Sequence, residues 1–270
     1  LSTDVDIKYP AEADLTLTNS NAWDGTKAVL NLVETGSSPV TAVTAERDLT
    51  ELFTNYTDFV GNGSNGTFTS LGGKFEFSVV GDTPSGVTLD VTSGTLSVDK
   101  TYNGDAAGFS VKVEAKCGEK VISTKTIPVV FNTAKMNGTF DYKVDTEDKD
   151  KLAFDVSNAT ERGKGVDVSS ALVWKDASDR QLWPSTNASS DYQNSNGAEV
   201  FGFTVAFELV AGEDNDNFTL DGTTGKLTLK NPDATQNYKA MTVKVKAIPT
   251  SPWGTVEAKV VTVTVAKWVD

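Results

Sequence analysis

Short spans in which every second residue is apolar run through most of this chain. In Phe109-Ser110-Val111-Lys112-Val113-Glu114-Ala115-Lys116 the odd positions are apolar and the even ones polar. On an extended backbone that pattern gives one dry and one wet face. Phe75, Phe77 and Val79 alternate in the same way within residues 74–80. Residues 14–18, 28–33, 121–131, 139–144, 152–156, 201–209, 241–247 and 255–265 read as further strands, separated by Gly, Asn, Asp and Pro turns. Helical spacing shows at Leu49, Leu52, Phe53 and Tyr56, which predicts a short helix across the end of a sandwich. Strands at short intervals, without sustained alternation with helices, predict antiparallel sandwiches and argue against a doubly wound parallel sheet.

One stretch occurs twice. Leu89-Asp90-Val91-Thr92-Ser93-Gly94-Thr95-Leu96-Ser97-Val98 returns as Leu220-Asp221-Gly222-Thr223-Thr224-Gly225-Lys226-Leu227-Thr228-Leu229, 131 residues later. Each copy reads as a strand end, a tight turn closed by Gly and a new strand. Val111-Lys112-Val113 and Val243-Lys244-Val245 repeat at nearly the same interval. A tandem duplication accounts for both pairs. The expected organisation is an N-terminal strand or linker over residues 1–10, one β-sandwich over 11–134 and a second over 135–270. Asp4-Val5-Asp6-Ile7-Lys8-Tyr9 alternates, so that leader is also read as an edge strand able to pair with a neighbouring subunit.

Charge and composition narrow the function. A net charge of −13 sets the chain against nucleic acid and anionic membrane surfaces. No run of eighteen apolar residues occurs, so no membrane insertion is expected. Beginning at Leu1 rather than Met, the chain reads as a processed or excised piece. Cys117 is the sole cysteine and admits no intrachain disulfide. With no His at all, neither a Ser-His-Asp relay nor a His-based zinc site can be assembled, and no carboxylate pair stands out for glycoside hydrolysis. The reading is therefore non-enzymatic. Few Cys, Met and His beside abundant Thr, Val, Gly and Asp match surface-layer, adhesin and virion proteins in composition, which places the chain outside a cell or on a virus particle.

Four features remain as candidate chemistry. Gly61-Asn62-Gly63-Ser64-Asn65-Gly66 fits a dinucleotide fingerprint in letters, but Thr67-Phe68-Thr69-Ser70 behind it is no helix start, so it reads as a loop. Asp214, Asp216 and Asp221 offer hard oxygens close together, which calcium could use, though Phe218 stands where a helix–loop–helix site needs its third ligand. Trp183, before Pro184, and Trp253, in a Pro-flanked hairpin tip, are either caps on the sandwich core or platforms for a sugar ring. Asn-x-Ser/Thr sequons occur at Asn55, Asn62, Asn65, Asn137, Asn158, Asn187 and Asn217, twice what 17 Asn and 56 Ser plus Thr would place by chance. They fit an exposed, glycosylated outer surface.

From Ala211-Gly212-Glu213-Asp214-Asn215-Asp216-Asn217-Phe218 through Leu227 the chain resembles the middle of a cadherin-like domain, and bacterial Ig-like surface repeats share the pattern. Residues 81–98 are similar but shorter. The resemblance implies two tandem all-β Ig-like or cadherin-like sandwiches with short helical insertions, used outside cells for spacing, adhesion or lattice building. Two departures are plain. Cadherin domains hold calcium between repeats with acidic motifs, yet Lys230-Asn231-Pro232-Asp233 follows Leu229 here and residues 132–136 carry no carboxylate. The expected partners are further copies of the chain or other structural subunits, with glycans as the alternative.

Overall fold

The longest alternating spans form the longest strands. In the computed structural model, which describes residues 11, 23–52, 72–185, 189–232 and 239–268, the first half supplies eight strands: β1 (Ala28–Leu30), β2 (Val33–Thr35), β3 (Ala42–Asp48), β4 (Gly73–Val79), β5 (Val87–Leu89), β6 (Thr95–Asp99), β7 (Phe109–Cys117) and β8 (Lys120–Phe131). They make two four-stranded sheets, ordered β1-β8-β7-β4 and β2-β3-β6-β5. All pairings are antiparallel except β1 with β8. Phe75, Phe77, Val111, Val113, Ile127 and Val129 of the first sheet and Val43, Ala45, Leu96 and Val98 of the second are buried. β3, β4, β6 and β7 thus give alternate residues to a shared core, and full burial of a side chain the size of Phe77 contributes about 2–3 kcal/mol.

The second half repeats this plan and adds to it. Its strands are β9 (Thr139–Tyr142), β10 (Lys151–Phe154), β11 (Val166–Asp167), β12 (Leu172–Lys175), β13 (Gln181–Trp183), β14 (Thr204–Leu209), β15 (Phe218–Leu220), β16 (Lys226–Leu229), β17 (Met241–Thr250) and β18 (Lys259–Val265). The sheet β10-β18-β17-β14 matches β1-β8-β7-β4 strand for strand, including the parallel pair at its edge. The set β11-β16-β15 corresponds to β3-β6-β5, and β13-β12-β9 is an additional three-stranded sheet. The fold is all-β, with a few short helices.

Several local expectations shift. Residues 28–33 do not form one strand: β1 pairs with β8, and after Leu30 the chain crosses to the opposite sheet, where β2 pairs with β3. The helix expected from Leu49 is a single 3₁₀ turn over Leu49–Leu52, and Phe53 and Tyr56 lie outside the described residues. Residues 4–9, 14–18 and 61–66 lie outside them too. Residues 201–209 do not begin as a strand, because Gly197–Phe201 is helical, Gly202 ends it with φ of 79°, and the strand starts at Thr204. Thr133–Asn137, across the expected boundary between the two sandwiches, is a short helix.

The described residues fall into two compact units. One takes those up to Thr35 with Ala42–Met136 and Pro252–Gly254; the other takes Gly36–Thr41, Asn137–Ser251 and those from Thr255 onward.

Candidate functional site

The repeated hairpin is built bond for bond alike in both units. The carboxylate of Asp90 accepts from the amides of Thr92 at 2.8 Å and Ser93 at 2.7 Å. That of Asp221 accepts from Thr223 at 2.8 Å and Thr224 at 3.0 Å. The Asp amide donates across the turn to Thr95 O at 3.0 Å in one unit and to Lys226 O at 2.9 Å in the other. The Gly94 and Gly225 amides each return to the Asp carbonyl at 2.9 Å. From the facing strand, Phe77 N donates to Val91 O and Phe207 N to Gly222 O, at 2.9 and 2.8 Å. Each Phe ring then lies against the turn glycine, where an added Cβ would stand 2.7 Å from ring carbon Cζ. Amide donation, from Ser93 and Thr92 on Asp90 and from Thr224 and Thr223 on Asp221, holds both carboxyls below the usual range.

Asp214 and Asp216 stand apart from that turn in their commitments. Asp214 accepts from the Thr242 amide at 3.0 Å and pairs with Lys239 at 3.4 Å; the Thr242 bond is the main reason its carboxyl sits low. Asp216 lies in the 3₁₀ turn Asn215–Asn217. Asp221 spends one oxygen on its own turn, in the same geometry as Asp90. Among the described residues no three His, Cys, Asp or Glu side chains group in a way that could hold a metal ion. The structure therefore does not gather Asp214, Asp216 and Asp221 into one cluster.

The two tryptophans take different places. Trp253 has no exposed surface, and its ring meets Phe131 edge-on at 5.9 Å. Such a ring has no face to offer a sugar; it fills a core. Trp183, on β13, is half-buried and packs at 6.0 Å from Phe140 and 6.1 Å from Phe207. It sits in a string of aromatic contacts that includes Trp174 stacked flat on Phe203 at 4.1 Å and runs on through Phe201 to Tyr192.

That string ends at a polar cluster that no motif in the chain announces. Asp176 is 6% exposed. Its Oδ1 accepts from the amides of Ser178 and Arg180, both at 2.8 Å, and its Oδ2 from Tyr192 Oη and Arg180 Nε, both at 2.6 Å. The Arg180 guanidinium lies over the Tyr192 ring at 5.1 Å. Burial works to raise the Asp176 carboxyl, but the bonds from Tyr192, Arg180 and Ser178 together carry it below its ordinary value. Chemically this closes the β12–β13 turn and ties it to Tyr192, sixteen residues on; a carboxylate so fully engaged has no lone pair left for a substrate.

On the outer face of β4 and β7 the polar positions of the alternating pattern form a ladder of ions. Glu76 pairs with Lys74 at 2.6 Å and closely with Lys116, which also reaches Glu114 at 3.3 Å, and Lys112 meets Glu114 at 2.9 Å. The hydrogen-bonded pair with Lys116, then that with Lys74, lowers the Glu76 carboxyl to about 2. A shallow groove runs beside this ladder between β4 and the Val91–Thr92 turn.

No family model matches the chain, and no curated protein matches it. Among solved structures it is similar to extracellular cadherin domains 3–6 of protocadherin gamma B2, at 13% identity and a TM-score of 0.31, over 89% of this chain and 50% of that one. It is also similar to domains EC22–24 of mouse cadherin-23, at 16% identity and a TM-score of 0.23, over 90% and 64%. A third similarity is to domains EC1–4 of Drosophila N-cadherin, at 14% identity and a TM-score of 0.24, over 74% and 42%. The chain spans half the length of the protocadherin structure. These are likenesses of layout, and nothing about adhesion or calcium follows from them.

Proposed function

We propose that this chain is a non-enzymatic structural module that works outside the cell by associating with copies of itself, as a unit of a surface layer, a phage decoration or fibre, or an adhesin. The observation that supports the reading most is the hairpin built twice with the same hydrogen bonds. A polypeptide that carries one rigid unit twice presents like surfaces in tandem, and tandem surfaces make weak contacts add up. The carboxylates with displaced acidity also support it, since Asp90 and Asp221 each commit one oxygen to the amides of their own turn and Asp176 commits both to amides and neighbouring side chains. The modules are the two domains proposed at 11–134 and 135–270, and exposed sheet edges are the surfaces on which copies would meet.

Sedimentation velocity across a concentration series, with electron microscopy of the same samples, tests this. Growth to dimers and ordered assemblies as concentration rises is the expected result. A monomer at every concentration, on all grids, would overturn it.

A further inference from the structure

We propose that Asn158 is a glycosylation site of the folded chain and that Asn137, with the same sequon, is excluded. The inference rests on the extracellular setting proposed above. Three of the seven sequons fall on described residues, and the structure treats them differently.

At Asn158 the whole triplet Asn158-Ala159-Thr160 is exposed. The side chain caps the short helix Ala159–Lys164: its Oδ1 accepts from the Glu161 amide at 3.0 Å, with the Asn158 backbone extended at φ −157° and ψ 170°. Capping uses the oxygen only. The nitrogen Nδ2 points away to Ser157 Oγ at 3.4 Å, a long bond on a solvent-facing atom. Replacing one Nδ2 proton by a sugar carbon therefore leaves the cap in place, and the added saccharide extends into water.

Asn137 presents the opposite case. It is 6% exposed and sits where a backbone and a side chain converge: its carbonyl accepts from the indole of Trp174 and its Oδ1 from Ser251. Its Nδ2 is buried. A glycan there would have to leave through packed core, so a chain modified at Asn137 cannot close this part of the fold. Asn217 lies between the two, half-buried, with Nδ2 donating to Asp214 O at 3.1 Å and with Phe218, in the middle of its triplet, 2% exposed.

The chemistry balances with a polyprenyl-diphosphate-linked oligosaccharide as donor. Asn158 Nδ2 forms a bond to the anomeric carbon, the bond from that carbon to the diphosphate oxygen breaks, the diphosphate leaves with the electron pair, and Nδ2 gives up one proton. Nothing is oxidised or reduced.

The test is glycopeptide mass spectrometry on the full chain, secreted from cells that carry an oligosaccharyltransferase. The variant Thr160→Ala removes the sequon but keeps the Asn158 cap, so it separates loss of the acceptor from loss of the helix. The expected result is a glycan on Asn158 in the parent chain, none in Thr160→Ala, and none on Asn137 in either. A secreted, cooperatively melting chain bare at Asn158, or one carrying a glycan on Asn137, would overturn the proposal. Sedimentation of the same material separates the two ideas. A glycosylated monomer leaves this inference standing and removes the self-association; an assembling chain bare at Asn158 does the reverse.

Discussion

Gly94 and Gly225 hold left-handed backbones, φ +74° and +77°, each against a Phe ring. Alanine at either position meets both a strained backbone and a ring that cannot retreat within a filled core. Each of Gly94→Ala and Gly225→Ala should cost about 1–3 kcal/mol, read as a lowered urea midpoint at unchanged slope. The carboxylates of the same turns give the fold an acid limb. Asp90, Asp214 and Asp221 are all depressed below 3.8, and Glu76 falls from 4.5 to about 2. A depressed carboxyl stabilises fully above its unfolded value and loses that contribution as pH drops through its folded one. Stability should therefore be level from neutral pH to about 5 and fall from about pH 4.5 toward 2. Urea midpoints across that range check it, and the double variant Asp90→Asn, Asp221→Asn should show a shallower limb. A midpoint that rises on acidification would contradict the assignment.

Among elements, the β12–β13 turn depends most on one side chain. Removing the Asp176 carboxylate leaves Tyr192 Oη, the Ser178 and Arg180 amides and part of a guanidinium without their acceptor. Asp176→Ala should destabilise by about 1–3 kcal/mol. Tyr192→Phe, which deletes only the hydroxyl donor, should cost less, and thermal melts of the two variants rank them. Much of the strand content was legible because a half-buried strand must alternate: β4 and β7 follow their alternating letters closely. Legibility failed where the same letters serve another geometry. Phe201 and Phe203 are both buried, and two apolar residues around a small one look like a strand, yet Gly202 is the left-handed end of a helix between them. The Asp176 cluster was illegible for a different reason. Its members are ordinary surface residue types, and only the β12–β13 turn and the chain's return at Tyr192 bring them together. Among the site residues, position in a Pro-flanked tip marked Trp253 as notable, but letters alone could not show that it faces inward.

At the scale of the whole molecule, net charge opposes the association proposed for it. At −13 every copy repels every other at neutral pH, and that repulsion is screened over about 10 Å in 0.1 M salt. Self-association should therefore strengthen on going from low to moderate salt, and again as pH approaches the sequence pI near 4.5. Sedimentation coefficients that decline with added salt would mean that ion pairs, rather than strand edges or apolar contacts, hold the copies together. The duplicated plan was visible at this scale because the turn it repeats is local, while the extra sheet β13-β12-β9 has no counterpart among the described residues of the first half to announce it. That locality has an evolutionary use. Asp, three residues and Gly close the hairpin with bonds that hardly leave the segment, plus one Phe thirteen or fourteen positions upstream. Neighbouring strands are free to drift in sequence as long as they stay apolar on one side, whereas this short signature is held by stereochemistry. It is thus a milestone: in related polypeptides too divergent to align, its recurrence near every 131 residues would count the modules.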